Sequence, residues 1–219
     1  MAEHIREHSS RVVLRDRIID TATESFSTHG IKSITMDDIA TSLGISKRTL
    51  YEVFQDKESL LVACVIKKHE EMNVFLKEVH CTASNVLEVI LMCYKRSIEN
   101  FHKTNKQFFE DIKKYPKAYE VLRNYRDKDA DNAIEFFRTG VEQGIFRDDV
   151  NFEIVNLLVR EQLDMLMNTD LCKEYSFLEV YESIMFTYIR GISTEKGAQV
   201  LEDFIKEYRK HRIYEKKTD

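Results

Sequence analysis

The chain has 219 residues, 43% of them hydrophobic and 32% charged, a globular balance that excludes an intrinsically disordered polypeptide. A net charge of −5 argues against a protein that coats nucleic acid non-specifically, though not against a reader with one small basic patch. One proline and six glycines leave few forced helix breaks, so an all-α fold is favoured.

The first apolar stripe predicts a helix over about 11–29, in which Ile18 or Ile19, Ala22 and Phe26 recur at three- and four-residue steps. Gly30 ends it at the position where a left-handed turn costs least. A second helix starts at Thr35, whose hydroxyl is placed to accept an N–H near Asp38 while Asp38 answers back, a T-x-x-D capping box. Asp37 and Asp38 also suit the positive end of the helix dipole. Ile39, Ala40 and Leu43 form its inner face and Gly44 stops it. Ser46 then caps a third helix through about Phe54, with Leu50, Val53 and Phe54 turned inward. Lys47, Arg48, Thr49 and Tyr51 are left on its outer or N-terminal side.

Asp56 caps a long helix to about residue 80. Further helices are predicted at about 85–103, 105–113, 117–143, 152–169, 176–190 and 195–214. Pro116 marks a helix start, because the residue before a proline is held away from helical angles. Gly144 ends a helix, and residues 149–151 offer caps for the next. No alternating strand pattern, internal repeat or low-complexity stretch interrupts the series. The expected division falls near residue 55: a compact three-helix domain over 1–55 and a larger helical domain over 56–219.

Cys64, Cys81, Cys93 and Cys172 form no CxxC unit and read as reduced thiols of a cytoplasmic protein. The opening stretch "MAEHIREHSSRVVLR" has no apolar region of a secretion signal. The longest uncharged apolar run, "LLVACVI" (60–66), is too short to cross a membrane. Glu99 and His102 have the ExxH spacing of di-iron bundles but lack a second such unit. There is no GxSxG, HExxH or phosphate-loop pattern, so neither an enzyme nor a metal or other cofactor is expected.

A helix, a glycine turn and a capped second helix together make the grammar of a helix-turn-helix. In that arrangement the second helix lies in the major groove and presents its N-terminal side chains to base edges. Here those are Lys47, Arg48 and Thr49. Arg48 can donate two hydrogen bonds to a guanine, a pairing worth about 1–3 kcal/mol of discrimination. Tyr51 and Lys57 are placed for phosphate, and the Thr35 hydroxyl with the free N–H groups beside it forms an anion-binding corner. Composition does not add to this: residues 1–60 hold eight Lys/Arg and ten Asp/Glu.

The stretch "DRIIDTATESFSTHGIKSITMDDIATSLGISKRTLYEVFQDKESLLVACV" (16–65) carries Ala22, Phe26, Gly30, Thr35, Ile39-Ala40, Gly44-Ile45-Ser46, Thr49-Leu50-Tyr51, Phe54, Lys57 and Leu60 in a specific order and spacing. It resembles the N-terminal domain of the tetracycline-repressor (TetR) family of transcriptional regulators. The resemblance implies that Thr35, Ser46, Lys47, Thr49, Tyr51 and Lys57 contact phosphate or groove. Many members have glycine where this chain has Arg48, which assigns individual base readout to Arg48. It also implies a homodimer on a palindromic double-stranded DNA operator, an unknown small-molecule effector, and repression as the expected mode. Location is then cytoplasmic, at the nucleoid when DNA-bound. Two recognition helices about 34 Å apart would read successive major grooves.

Residues 56–219 offer no motif of equal specificity, and the resemblance implies a ligand-binding and dimerisation domain there. Residues 92–137 are rich in aromatics, and Tyr94, Phe101, Phe109, Tyr119 and Leu122, with Met165, are pocket candidates by helical position, core packing being the alternative for each. In the segments 152–167 and 177–192, Leu158, Leu163, Leu166, Tyr181, Ile184, Met185 and Tyr188 lie on apolar stripes. Those stripes are read as a four-helix dimer interface or, alternatively, as packing within one chain. A helical interaction protein of this fold that has lost specific DNA binding is the reading from another class. The tail "EYRKHRIYEKK" (207–217) reads as a basic interaction segment or a frayed helix end.

Overall fold

The computed structural model describes residues 2–168 and 175–215, with side chains described at 11–125, 128–129, 133–162, 165, 175–176 and 178–210. Cys172 lies outside the described residues. So do the side chains of Leu163 and Leu166 and the last part of the basic tail. Ten α-helices occur among the described residues: α1 (Ala2–His29), α2 (Met36–Leu43), α3 (Lys47–Val53), α4 (Lys57–Thr82), α5 (Val86–His102), α6 (Lys106–Ile112), α7 (Pro116–Glu142), α8 (Phe152–Asn168), α9 (Phe177–Ile192) and α10 (Glu195–Glu215). The fold is all-α, as composition implied. α1 begins at Ala2 rather than near residue 11. Residues 2–10 contain no glycine or proline to break a helix, yet their polar sequence offers no apolar period by which to detect one.

The expected caps form. The Thr35 hydroxyl accepts the Asp38 N–H at 3.1 Å, and the Asp38 carboxylate accepts the Thr35 N–H at 2.8 Å. The Ser46 hydroxyl accepts the Thr49 N–H at 3.1 Å, Asp56 accepts the Ser59 N–H at 2.7 Å, and Asn151 accepts the Ile154 N–H at 3.1 Å. Each satisfies a backbone donor that a helix start would otherwise leave unpaired. Gly44 has φ 65°, and its N–H returns to the carbonyls of Ala40 and Thr41. A β-carbon is disfavoured in that left-handed turn, which ends α2 and aims the chain into α3.

The chain divides into two compact units, Met1–Val74 with Glu99–Arg126 and Phe75–Ile98 with Asp127–Asp219. α4, α5 and α7 each carry residues of both. In the first unit one apolar core joins Ile18, Ala22 and Phe26 of α1, Ile39 of α2, Leu50 of α3, Leu60 and Leu61 of α4, Ile112 of α6 and Ala118 of α7. Burial of each large apolar side chain contributes about 1.5–3 kcal/mol. The core beneath the three-helix segment therefore continues past residue 55 into α4, α6 and α7.

In the second unit α9 packs against both α8 and α10. The links before α8 and before α10 are tied together by the Arg147 N–H to the Ile192 carbonyl at 2.9 Å and the Thr194 N–H to the Ile145 carbonyl at 3.0 Å. Gly140 is required by close approach: a β-carbon there would lie 2.2 Å from the Phe146 ring. Tyr94 is buried and packs against Tyr181, Phe186, Phe204 and Tyr208, at ring-centroid distances of 5.2–6.3 Å. Burial holds the Tyr94 phenol well above its usual pKa.

Candidate nucleic-acid interface

α3 is a short helix anchored from below. Leu50 is fully buried and Phe54 nearly so, while Lys47, Arg48 and Tyr51 are exposed. The 3.6-residue period puts Leu50 and Phe54 on one face at i and i+4 and Arg48 and Tyr51 away from it, while Lys47 is exposed because it begins the helix. Ser46 fixes the first turn, and its hydroxyl also meets the Thr49 hydroxyl at 2.7 Å. Thr49 is thus engaged with the cap and half-buried, whereas Lys47, Arg48 and Tyr51 are exposed.

The cations of this surface are held by carboxylates. Lys47 Nζ meets Asp37 at 2.8 Å and lies 5.9 Å from the centre of the Tyr51 ring. The hydrogen bond that the Lys47 ammonium donates to Asp37 raises the Lys47 pKa, so the ammonium stays charged at neutral pH. Arg48 Nε meets Glu52 Oε1 at 2.9 Å, one turn along the helix, and its side chain is 89% exposed. An exposed i,i+4 pair contributes on the order of a few tenths of a kcal/mol, less than a bidentate guanine contact gives. Arg48 can therefore leave Glu52 for a base.

Thr35 is engaged with the cap of α2. Its N–H and its hydroxyl both donate to Asp38, at 2.8 and 2.7 Å, and these bonds hold the Asp38 carboxyl below its usual pKa. A phosphate reaching this corner meets a carboxylate already in place. Lys57 is also more enclosed than a simple phosphate contact: half-buried, its ammonium lies 5.7 Å from the Phe26 ring centre and 5.8 Å from that of Tyr115. Burial lowers its pKa against the opposing charges of Asp111 and Asp38. The structure thus brings Ser46, Lys47, Arg48, Thr49 and Tyr51 together on α3. It sets Thr35 at the start of α2 and Lys57 at the start of α4.

One residue escaped the sequence reading. Arg15, exposed on α1, places its guanidinium 5.4 Å from the centre of the Phe54 ring, beside the end of α3. Arg15 continues the row of Ile18, Ile19, Ala22 and Phe26 at three- and four-residue steps, but a rule that counts only apolar residues passes over a cation in that register. Only the fold reveals that Arg15 of α1 lies beside the end of α3.

The candidate pocket residues are divided. Phe101 stacks on Phe109 at 4.9 Å, and Tyr119 and Leu122 pack against the core of the first unit. Tyr94 lies in the aromatic cluster of the second unit, and Met165 is exposed on α8. Of the dimer candidates, Leu158 is exposed, in line with exposed Ile154, Leu157 and Met165. Tyr181, Ile184, Met185 and Tyr188 are half-buried, and Tyr181 stacks on Tyr94 of its own chain. No helix among the described residues is long and apolar enough to cross a membrane, and no group of His, Cys, Asp and Glu among them is arranged to hold a metal ion.

Residues 18–64 match the family model described as bacterial regulatory proteins, tetR family. YvaF, an HTH-type transcriptional regulator of Bacillus subtilis, is 33% identical over 170 residues, which covers 76% of this chain and 89% of that protein. The chain belongs to the TetR family. The HTH-type transcriptional repressor KstR2 of Mycolicibacterium smegmatis is 24% identical over 152 residues, or 67% of this chain and 74% of that one. Among solved structures, a transcriptional regulator from Saccharomonospora viridis in complex with choline superposes with a TM-score of 0.66 at 19% identity, covering 84% of this chain and all of that one. A TetR-family regulator from Marinobacter aquaeolei VT8 gives the same TM-score at 17% identity, over 89% of this chain and 98% of the other. These structures share the fold. Membership of the family makes this chain a DNA-binding transcriptional regulator rather than an enzyme.

Proposed function

We propose that this TetR-family chain represses transcription as a homodimer on a palindromic operator and releases it when a small molecule binds. The observation that carries the DNA half is the exposed face of α3, where Lys47, Arg48 and Tyr51 project from a helix locked by Leu50, Phe54 and the Ser46 cap. Arg48 reads a base, while Lys47, Tyr51 and Arg15 bind phosphates. Ser46, Thr49, Thr35 and Lys57 complete the contact set, Lys57 by swinging out from between its two rings.

Dimerisation is supported by α8. Ile154, Leu157, Leu158 and Met165 follow each other at helical spacing and are all 45–55% exposed in the single chain. A stripe of that kind is ordinarily covered. A second copy of α8 and α9 covers it and sets two α3 helices for successive major grooves. Repression is supported by KstR2, a transcriptional repressor, and by IcaR, a negative transcriptional regulator of Staphylococcus aureus that is 30% identical over 115 residues. An effector is supported by the choline complex of the Saccharomonospora viridis regulator and by the aromatic composition around Tyr94. Coupling between effector and operator would run through α4, which carries residues of both units, and about 1–3 kcal/mol is enough for a switch.

The test is selection of bound duplexes from a random DNA pool by the purified chain. The reading predicts one enriched inverted repeat with half-sites one or two helical turns apart. A folded dimer that enriches no sequence at low salt would instead be a helical interaction protein.

A further inference from the structure

α6 lies outside the helix-turn-helix, yet three hydrogen bonds fasten it there. Asn105, the N-cap of α6, donates its backbone N–H to the Ser27 carbonyl at 2.6 Å and its side-chain amide to the Thr28 carbonyl at 3.1 Å. Both acceptors belong to the last turn of α1, where carbonyls have no partner within the helix. At the far end of α6, Asp111 Oδ2 accepts the backbone N–H of Lys32 at 2.7 Å, while Oδ1 holds the Lys114 ammonium at 3.0 Å. Between these anchors Gly30 lies against Gln107, so closely that a β-carbon would come within 3.1 Å of the Gln107 Cβ.

Asp111 is 1% exposed in its side chain, an expensive place for a carboxylate. Ile112 beside it already supplies the apolar anchor of α6 in the shared core. What Asp111 adds is directional: it fixes one N–H in the turn that joins α1 to α2. That turn sets the angle at which α2 leaves α1, and α2 packs directly on α3.

We propose that Asn105 and Asp111 are positioning residues for operator binding, which hold the α1–α2 turn in the conformation that presents α3 to DNA. The proposal rests on the reading of α3 as the DNA-contacting helix. α6 then sets operator affinity from a distance, by the fraction of molecules whose head is ready to bind.

Asp111→Ala, Asp111→Asn, Asn105→Ala and the core control Ile112→Val are compared with wild type in the full chain. Two quantities are measured: affinity for the selected duplex across a salt series, and the urea midpoint. The expected result for Asp111→Ala and Asn105→Ala is about a tenfold weaker Kd at unchanged salt dependence, because the count of phosphate contacts is the same and only readiness has fallen. Asp111→Asn, whose amide oxygen still accepts the Lys32 N–H, should stay within about threefold of wild type. Ile112→Val should lower the urea midpoint and leave the Kd within about twofold. Asn105 is exposed, so its variant folds even if Asp111→Ala does not. The proposal is overturned if the folded variants bind as wild type does, or if Kd simply follows the urea midpoint through all four. A wild type that selects no duplex overturns the reading of α3 first, and the positioning role with it.

Discussion

The carboxylate of Asp111 accepts the backbone N–H of Lys32 at 2.7 Å across 79 positions of sequence. With Asn105 on the α1 carbonyls, it makes α6 part of the DNA-binding head in every physical sense except sequence order. Burial pushes the Asp111 carboxyl up, but the Lys32 N–H and the Lys114 ammonium outweigh it, and the pKa falls below the ordinary 3.8.

A pH dependence follows with a definite sign. Asp38 and Asp56 are also held below 3.8, by bonds from Thr35 and from the Ser59 N–H respectively. Groups whose folded pKa is depressed stabilise the fold fully above the unfolded pKa and lose that contribution as pH falls through the folded pKa. Thermal melting followed by circular dichroism should give a level Tm from about pH 7 to pH 5 for these groups, and a steep fall below about pH 4. Asp111→Asn should melt lower at pH 7 and show a shallower acid fall. Parallel acid profiles for the two proteins would show that Asp111 carries none of it.

Cys64 behaves oppositely. Burial pushes its thiol up to about 11, and its S–H points to the Ile19 carbonyl at 3.7 Å. The thiol stays protonated and unreactive at pH 8. Alkylation of the native protein, mapped by peptide, should label exposed Cys81 and spare Cys64. The stability linked to Cys64 is present below 9.0 and lost as pH rises through about 11. Early labelling of Cys64 at neutral pH would mean that the core of the first unit opens readily.

Gly140 tests the packing of the second unit. Alanine there brings a β-carbon to 2.2 Å from the Phe146 ring and 2.8 Å from Val86, both of them buried. Overpacking of this kind costs about 1–3 kcal/mol, read as a lower urea midpoint. By contrast, Gly191 has open space around its site, so Gly191→Ala should be neutral or slightly stabilising in helix α9.

The α8 stripe tests the assembly. Leu158→Glu together with Ile154→Glu should convert a dimer into a folded monomer by light scattering, with operator affinity falling by about a hundredfold or more because two half-sites are no longer bound together. A wild type that is monomeric at micromolar concentration would remove the basis for a palindromic operator.

The helices and their caps were legible because local chemistry determines them: Thr35 with Asp38, Ser46 with Thr49, and Gly44 needing no partner beyond its neighbours. The outward face of α3 was legible for the same reason: Leu50 and Phe54 turn inward, which leaves Arg48 and Tyr51 outside, and Lys47 is exposed as the first residue of the helix. Arg15 beside Phe54, and Asp111 beneath Lys32, depend on how distant helices pack, which no spacing in the chain encodes. Lys57 illustrates the middle case. Its position at the head of α4 could be read, but not its enclosure between Phe26 and Tyr115.

The most direct measurement is titration of the selected duplex, and of single-base-pair variants of it, with wild type, Arg48→Ala and Tyr51→Ala at several salt concentrations. Arg48→Ala should lose about 1–3 kcal/mol of preference at one base pair per half-site. Tyr51→Ala should weaken binding evenly over all duplexes. If Arg48→Ala keeps the full base preference and salt dependence of wild type, α3 does not read DNA as described.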